Sequence, residues 1–160
     1  GLHCAGLLLD FQNPPSRESQ ALVACLVEHL KFPMGISPDY SVEPAAVFAP
    51  PVPTDTPVAD YLARWKGRRV WLEAALEGQT ITLTASGAQC SANPSPPDAP
   101  AFADEALHCH YKIEEKQDAV VFRTWRTRDD LSALLEEAER LNVKLSVGLY
   151  QELSTQCRST

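Results

Sequence analysis

Two rhythms of apolar residues alternate along the chain, and their order points to a fold. Residues 5–12 (Ala-Gly-Leu-Leu-Leu-Asp-Phe-Gln) open with an unbroken apolar run, the mark of a strand covered on both faces, as in a parallel sheet. Asn13-Pro14-Pro15 stops it, and Ser16 is placed to cap a helix over 17–30 whose stripe is Leu22, Val23, Leu26, Val27 and Leu30. Short strands are predicted at 33–37 and 45–49. A loop over 50–57 with four prolines follows, then a helix over 57–65 with Pro57 in its first turn, and a strand over 69–76.

Beyond that point the rhythm changes. Gly78-Gln79 reads as a turn into 80–85 (Thr-Ile-Thr-Leu-Thr-Ala), where strict alternation predicts a half-exposed antiparallel strand. Residues 91–101 read as a loop. Strands over 107–113 and 119–125 flank the polar turn 114–118 as a hairpin. Thr127 opens a helix over 127–141 with the stripe Leu131, Leu134, Leu135, Ala138 and Leu141, which Asn142 can end in a left-handed conformation. A last strand covers 143–150. This order predicts one α/β domain over 1–160, with parallel strands, crossover helices and an antiparallel insert at 78–125.

Composition narrows the functional classes. The chain has 160 residues, 44% hydrophobic and 22% charged, with a net charge of −7. No basic face is visible, so nucleic acid is not an expected partner. Lys66-Gly67-Arg68-Arg69 reads as a solvated loop rather than a phosphate site. No run approaches the ~18 apolar residues of a membrane span, so a membrane is not expected either. The five cysteines (4, 25, 90, 109 and 157) have no Cys-x-x-Cys spacing. Cys25 reads as core, and reduced thiols in a cytoplasmic chain are the simplest account, with a secreted or cell-envelope chain whose leader was removed as the alternative.

In parallel α/β folds, chemistry gathers at the carboxyl ends of strands. Those ends carry Asp10 and Gln12, Ser37 and Asp39, Pro50, Glu73, and Tyr150 with Glu152. Glu73 and Glu152 are candidates to converge with Asp10 at a common mouth, although each reads equally well as solvated. His108-Cys109-His110 is the one metal-like cluster; two imidazoles on one strand face need ligands from elsewhere to hold zinc, and packed histidines are the plainer reading. Trp65, Trp71, Trp125 and Tyr150 are candidate sugar-stacking aromatics, with core packing the stronger reading for Trp71 and Trp125. There is no Gly-rich phosphate loop and no serine elbow, and no cofactor is expected.

Ala5-Gly6-Leu7-Leu8-Leu9-Asp10-Phe11-Gln12 resembles the fourth-strand motif Asp-Gly-x-Asp-x-Asp-x-Glu of the chitinase-like family 18 glycoside hydrolases and their spore-germination relatives. Residues 120–150 are similar to that family's last helix and eighth strand, with Tyr150 at the position of an aromatic that lines the sugar site. The resemblance implies strands four to eight of a TIM barrel, a half barrel with an insert after strand seven. It departs from the family at the chemistry. Gln12 stands where the proton-donating Glu belongs, Ala5 and Leu8 replace two aspartates, and Ala49-Pro50-Pro51 replaces a Tyr-Asp. An amide cannot protonate a leaving oxygen. The expected product is a non-catalytic glycosidase-like domain that binds a glycan or serves in assembly, with a homodimer through open sheet edges as one form. An active hydrolase, or a piece of one, using other carboxylates is the alternative.

Overall fold

The computed structural model describes residues 6–92, 101–149 and 153. Its first sheet is a parallel five-strand half barrel: β1 (Leu7–Leu9), β2 (Met34–Ile36), β3 (Ala46–Ala49), β4 (Val70–Ala74) and β10 (Leu145–Gly148), side by side in that order. The second is antiparallel, in the order β6-β5-β9-β8-β7: β5 (Gly78–Thr84), β6 (Gly87–Ala92), β7 (Phe102–Asp104), β8 (Cys109–Lys116) and β9 (Ala119–Trp125). The second sheet is inserted between β4 and the last helix. Among the described residues, no helix is long and apolar enough to cross a membrane.

Three helices cover one face of the half barrel. α1 (Arg17–His29) begins at Ser16, whose hydroxyl accepts from the Ser19 amide at 3.1 Å while the Ser19 hydroxyl accepts from the Ser16 amide. Its buried residues, Val23 and Val27, meet Met34 and Ile36 of β2 together with Tyr40. Leu22 and Cys25 lie on the solvent side of α1 and are exposed, so Cys25 is not core; two residues from Val23 is more than half a turn of helix. α2 (Val58–Leu62) is capped, not entered, by Pro57 and tightens into a 3-10 turn over Ala63–Trp65. α3 (Arg128–Arg140) joins α2 over Ala49 and Leu72 through Leu134 and Ala138. Leu141 falls outside the stripe and is exposed, because the helix has ended and Asn142 turns left-handed at φ 76°.

The insert departs most from the sequence pattern. Gly78 and Gln79 are the first two residues of β5, not a turn; they pair with Trp125 and Thr124 of β9. Residues 91 and 92 close β6, a strand without a single β-branched side chain and therefore silent to propensity. Residues 93–100 lie outside the described set. The β8–β9 hairpin is longer than expected. Glu114 and Lys116 belong to β8, where Glu114 meets Lys112 at 2.9 Å and Arg123 at 3.8 Å across one face.

Arg126 joins the two sheets. It is buried, and its backbone amide donates to the Glu77 carbonyl at 2.9 Å. Its guanidinium donates to four carbonyl oxygens: Nε to His108 (3.1 Å), Nη1 to Val52, and Nη2 to Pro53 (3.0 Å) and Leu107 (3.2 Å). Burial lowers its pKa from the ordinary arginine value. Asp130 works beside it. One carboxylate oxygen accepts from the Thr127 amide (2.8 Å), the Thr127 hydroxyl (2.7 Å) and His110 Nδ1 (2.8 Å). Burial alone would raise the Asp130 pKa, but these bonds outweigh it and hold the carboxyl below its usual range.

Two outcomes follow. Arg126→Met strands four carbonyls, all of them outside helices and strands, and is expected to cost about 3–5 kcal/mol, read as a fall in urea midpoint. Arg126→Lys recovers less than half of that, since one ammonium cannot fork to four acceptors. A depressed carboxylate contributes stability that is present above its unfolded pKa and lost as pH falls through its folded one. Asp130→Asn should therefore lower stability at pH 7 by about 1 kcal/mol or more and flatten the loss on acidification below pH 4, as measured by parallel denaturation curves.

Candidate functional site

The sequence-predicted residues Asp10, Gln12 and Glu73 meet at the carboxyl end of the half barrel. With Ser37, Asp39, Phe48 and Pro50 they line a cavity of about 290 Å³. Alternation explains the convergence. Phe11 turns toward the helix layer and stacks on Tyr40, ring centroids 4.3 Å apart, which leaves Asp10 and Gln12 directed the other way. Ser37 fixes the strand end: its hydroxyl accepts from the Phe11 amide at 2.7 Å and donates to Asp10 Oδ1 at 3.0 Å. Gln12 Nε2 donates to Asp10 Oδ2 at 2.6 Å. Both carboxylate oxygens of Asp10 are thus engaged by neutral donors.

Glu73 is half-buried on β4 and also lines a second cavity of about 580 Å³ with Pro51, Ala75, Leu76, Glu77, Gly78 and Ala92. The two cavities adjoin at Glu73 and make a groove from the β1 terminus to the root of the antiparallel sheet. Among the described residues, no lysine, arginine or histidine lines either one.

The groove's proline rim is held from three sides. Tyr61 donates to the Pro50 carbonyl at 2.8 Å, and burial pushes its phenol up to about 12, with nearby Arg64 opposing the shift. Arg126 takes the Val52 and Pro53 carbonyls. Thr54, also buried, shares a 2.6 Å hydrogen bond with Thr124 of β9. Such a rim moves little when a ligand arrives.

Beneath the groove lies the inner face of the half barrel. Trp71 reaches from β4 across β3 to β2: a Cβ placed on Gly35 would come 2.3 Å from the indole, and one on Gly6 would come 3.2 Å from its far edge. Gly6, just before β1, and Gly35 on β2 thus form a trough for one large ring.

The remaining candidates lie elsewhere. His108 precedes β8 with a left-handed φ of 47°, so it does not share a strand face with His110. Both imidazoles nevertheless reach α3: His108 Nε2 lies 2.7 Å from Glu137 and His110 Nδ1 lies 2.8 Å from Asp130. Among the described residues, no group of three His, Cys, Asp or Glu side chains could hold a metal. Cys109 is buried against the Thr54 carbonyl, and burial raises its thiol to about 11, which keeps it protonated and inert.

Trp125 is buried and stacks with His110. Trp65 packs edge-on against Tyr61 and lines a separate cavity of about 390 Å³ at the amino ends of the strands. Arg68 and Arg69 line that cavity too, but Arg68 is held by Glu43 (2.5 Å) and Ser41 (2.9 Å), and Arg69 by the Pro44 carbonyl. Tyr150 and Glu152 lie outside the described residues. Sequence reasoning missed Glu77 and Ala92 in the groove; recognising β6 would have found Ala92.

Comparison with family models, with curated proteins and with solved structures finds no match to this chain.

The trough yields a test of its own packing. Gly35→Ala should displace the indole, cost about 1–3 kcal/mol and red-shift the tryptophan emission; Trp71→Leu in the same chain should recover part of the loss. Unchanged emission and stability in Gly35→Ala would mean the ring does not rest on residue 35.

Proposed function

We propose that this chain is a glycosidase-like domain that binds a glycan in the groove at its carboxyl end and does not cleave it. The observation that carries the reading is the pair Asp10–Gln12. The amide stands where the resemblance to family 18 glycoside hydrolases requires a proton donor, and it is spent on the neighbouring carboxylate at 2.6 Å. A glutamine donates N–H bonds and accepts at its carbonyl, so it can hold a hydroxyl, but it has no proton to give a departing oxygen. The groove's length supports an oligomeric ligand, since two adjoining cavities offer room for more than one sugar ring.

One observation favours the rival reading, an active hydrolase. Glu73 lines the same cavity as Asp10, so two carboxylates are present, and glycoside hydrolysis ordinarily works through a pair. Against it, both oxygens of Asp10 are occupied by hydrogen bonds.

A single set of measurements separates the two. Under the proposal, N-acetylglucosamine oligomers bind by calorimetry, Glu73→Ala weakens that binding roughly tenfold, and chromogenic oligomers stay intact. Turnover that disappears in Glu73→Gln would establish the hydrolase instead. If none of a panel of soluble glycans binds, glycan recognition is wrong.

A further inference from the structure

The antiparallel sheet has two unlike faces. Strand register puts Thr80, Thr82, Lys112, Glu114 and Arg123 on one of them, where Glu114 bridges to both cations. The opposite face carries Ile81, Leu83, Phe102, Tyr111, Ile113 and Phe122. Three of these are open to solvent: Phe102 is 64% exposed, Ile113 48% and Leu83 41%. The proline-rim loop reaches only the root of this face, through Thr54 on Thr124 and on Cys109. An alternating sheet normally turns its apolar side to a core, and here the outer part of that side has no cover among the described residues.

We propose that this face is the dimerisation surface of the protein and that a second copy of the chain covers it, sheet on sheet. The extent of the patch supports this partner. The three exposed side chains, with their half-buried neighbours, fall in the range of about 300–600 Å² typical of the largest apolar patch on a monomer. Two such patches together bury about 600–1,200 Å², at or below the lower end of specific interfaces, which fits a weak, concentration-dependent dimer.

Charge and shape agree with a two-fold axis laid along β9. That axis places β8 of one copy over β5 of the other and β7 over β6. Phe102 then meets Ala92 of the other copy, which occupies the same rung at the opposite edge, and Phe122 meets its own counterpart. Glu115 and Asp104 are the charged residues paired on this face; the axis sets Glu115 over Leu83 rather than over itself, and Asp104, on the edge strand β7, toward the β6 side of the other copy rather than over its own counterpart. Like charges therefore do not meet, and the sheets stack in the aligned manner of a β-sandwich. This surface is separate from the unpaired edges of β1 and β10.

Sedimentation equilibrium on the full chain tests the assignment. The weight-average mass should rise toward twice the monomer value between about 1 and 100 µM. Ile113→Lys should weaken association at least tenfold while Thr82→Lys, on the charged face, leaves it unchanged. Exposed Cys90 lies on the apolar face and Cys25 on α1, so alkylation of Cys90 should slow with protein concentration while that of Cys25 does not; this readout needs no substitution. A chain that stays monomeric at 100 µM overturns the proposal. So does a dimer that persists in Ile113→Lys but is lost in Leu8→Lys, which would assign assembly to the β1 edge.

Discussion

A buried guanidinium that meets only carbonyl oxygens holds this molecule together. Taking a full charge out of water is costly, and among the described residues no carboxylate forms an ion pair with Arg126. Its compensation comes from the dipoles of His108, Leu107, Val52 and Pro53. Those carbonyls belong to the turn before β8 and to the proline loop after β3, which are far apart in sequence, while the arginine itself sits at the junction of β9 and α3. One side chain thus ties the proline loop of the half barrel to the inserted sheet. Such backbone would otherwise have to meet water in order to satisfy its own oxygens.

The same junction explains why the groove exists as a fixed shape. The proline loop forms its rim, and Arg126, Tyr61 and Thr54 each take one point of that loop. The inner face of the half barrel is set by the size of side chains rather than by hydrogen bonds: an indole rests where two glycines leave room. Polar groups then collect at the strand termini because residues there alternate, with Phe11 turned to the helices and its two neighbours turned away. The polar character of the mouth is thus a by-product of packing behind it.

Much of this could be read from the sequence. Both long helices show their caps, their stripes and, at Asn142, their stop. The parallel strands announce themselves as unbroken apolar runs, and Asp10, Gln12 and Glu73 were found by position at strand ends alone. What escaped was structure without a local signal. β6 has neither branching nor alternation, β7 is three residues long, and Gly78-Gln79 carries turn chemistry yet pairs in a ladder because Trp125 and Thr124 lie opposite. Cys25 misled for another reason: an apolar neighbourhood in sequence is not a face in space. His108 and His110 looked like a strand pair, but a left-handed residue at 108 breaks the alternation, and only the carboxylates of α3 bring both rings to the same helix.

The trough under Trp71 carries a consequence for how this chain can drift over generations. Positions 6 and 35 form a single steric unit with position 71, though they are spread across most of the half barrel. A bulkier group at 35 is tolerable only after the indole has shrunk, and a smaller ring at 71 opens a void that the glycines cannot fill. Change at these sites must therefore be concerted, leaving correlated substitutions as the imprint of a contact between residues that share no hydrogen bond.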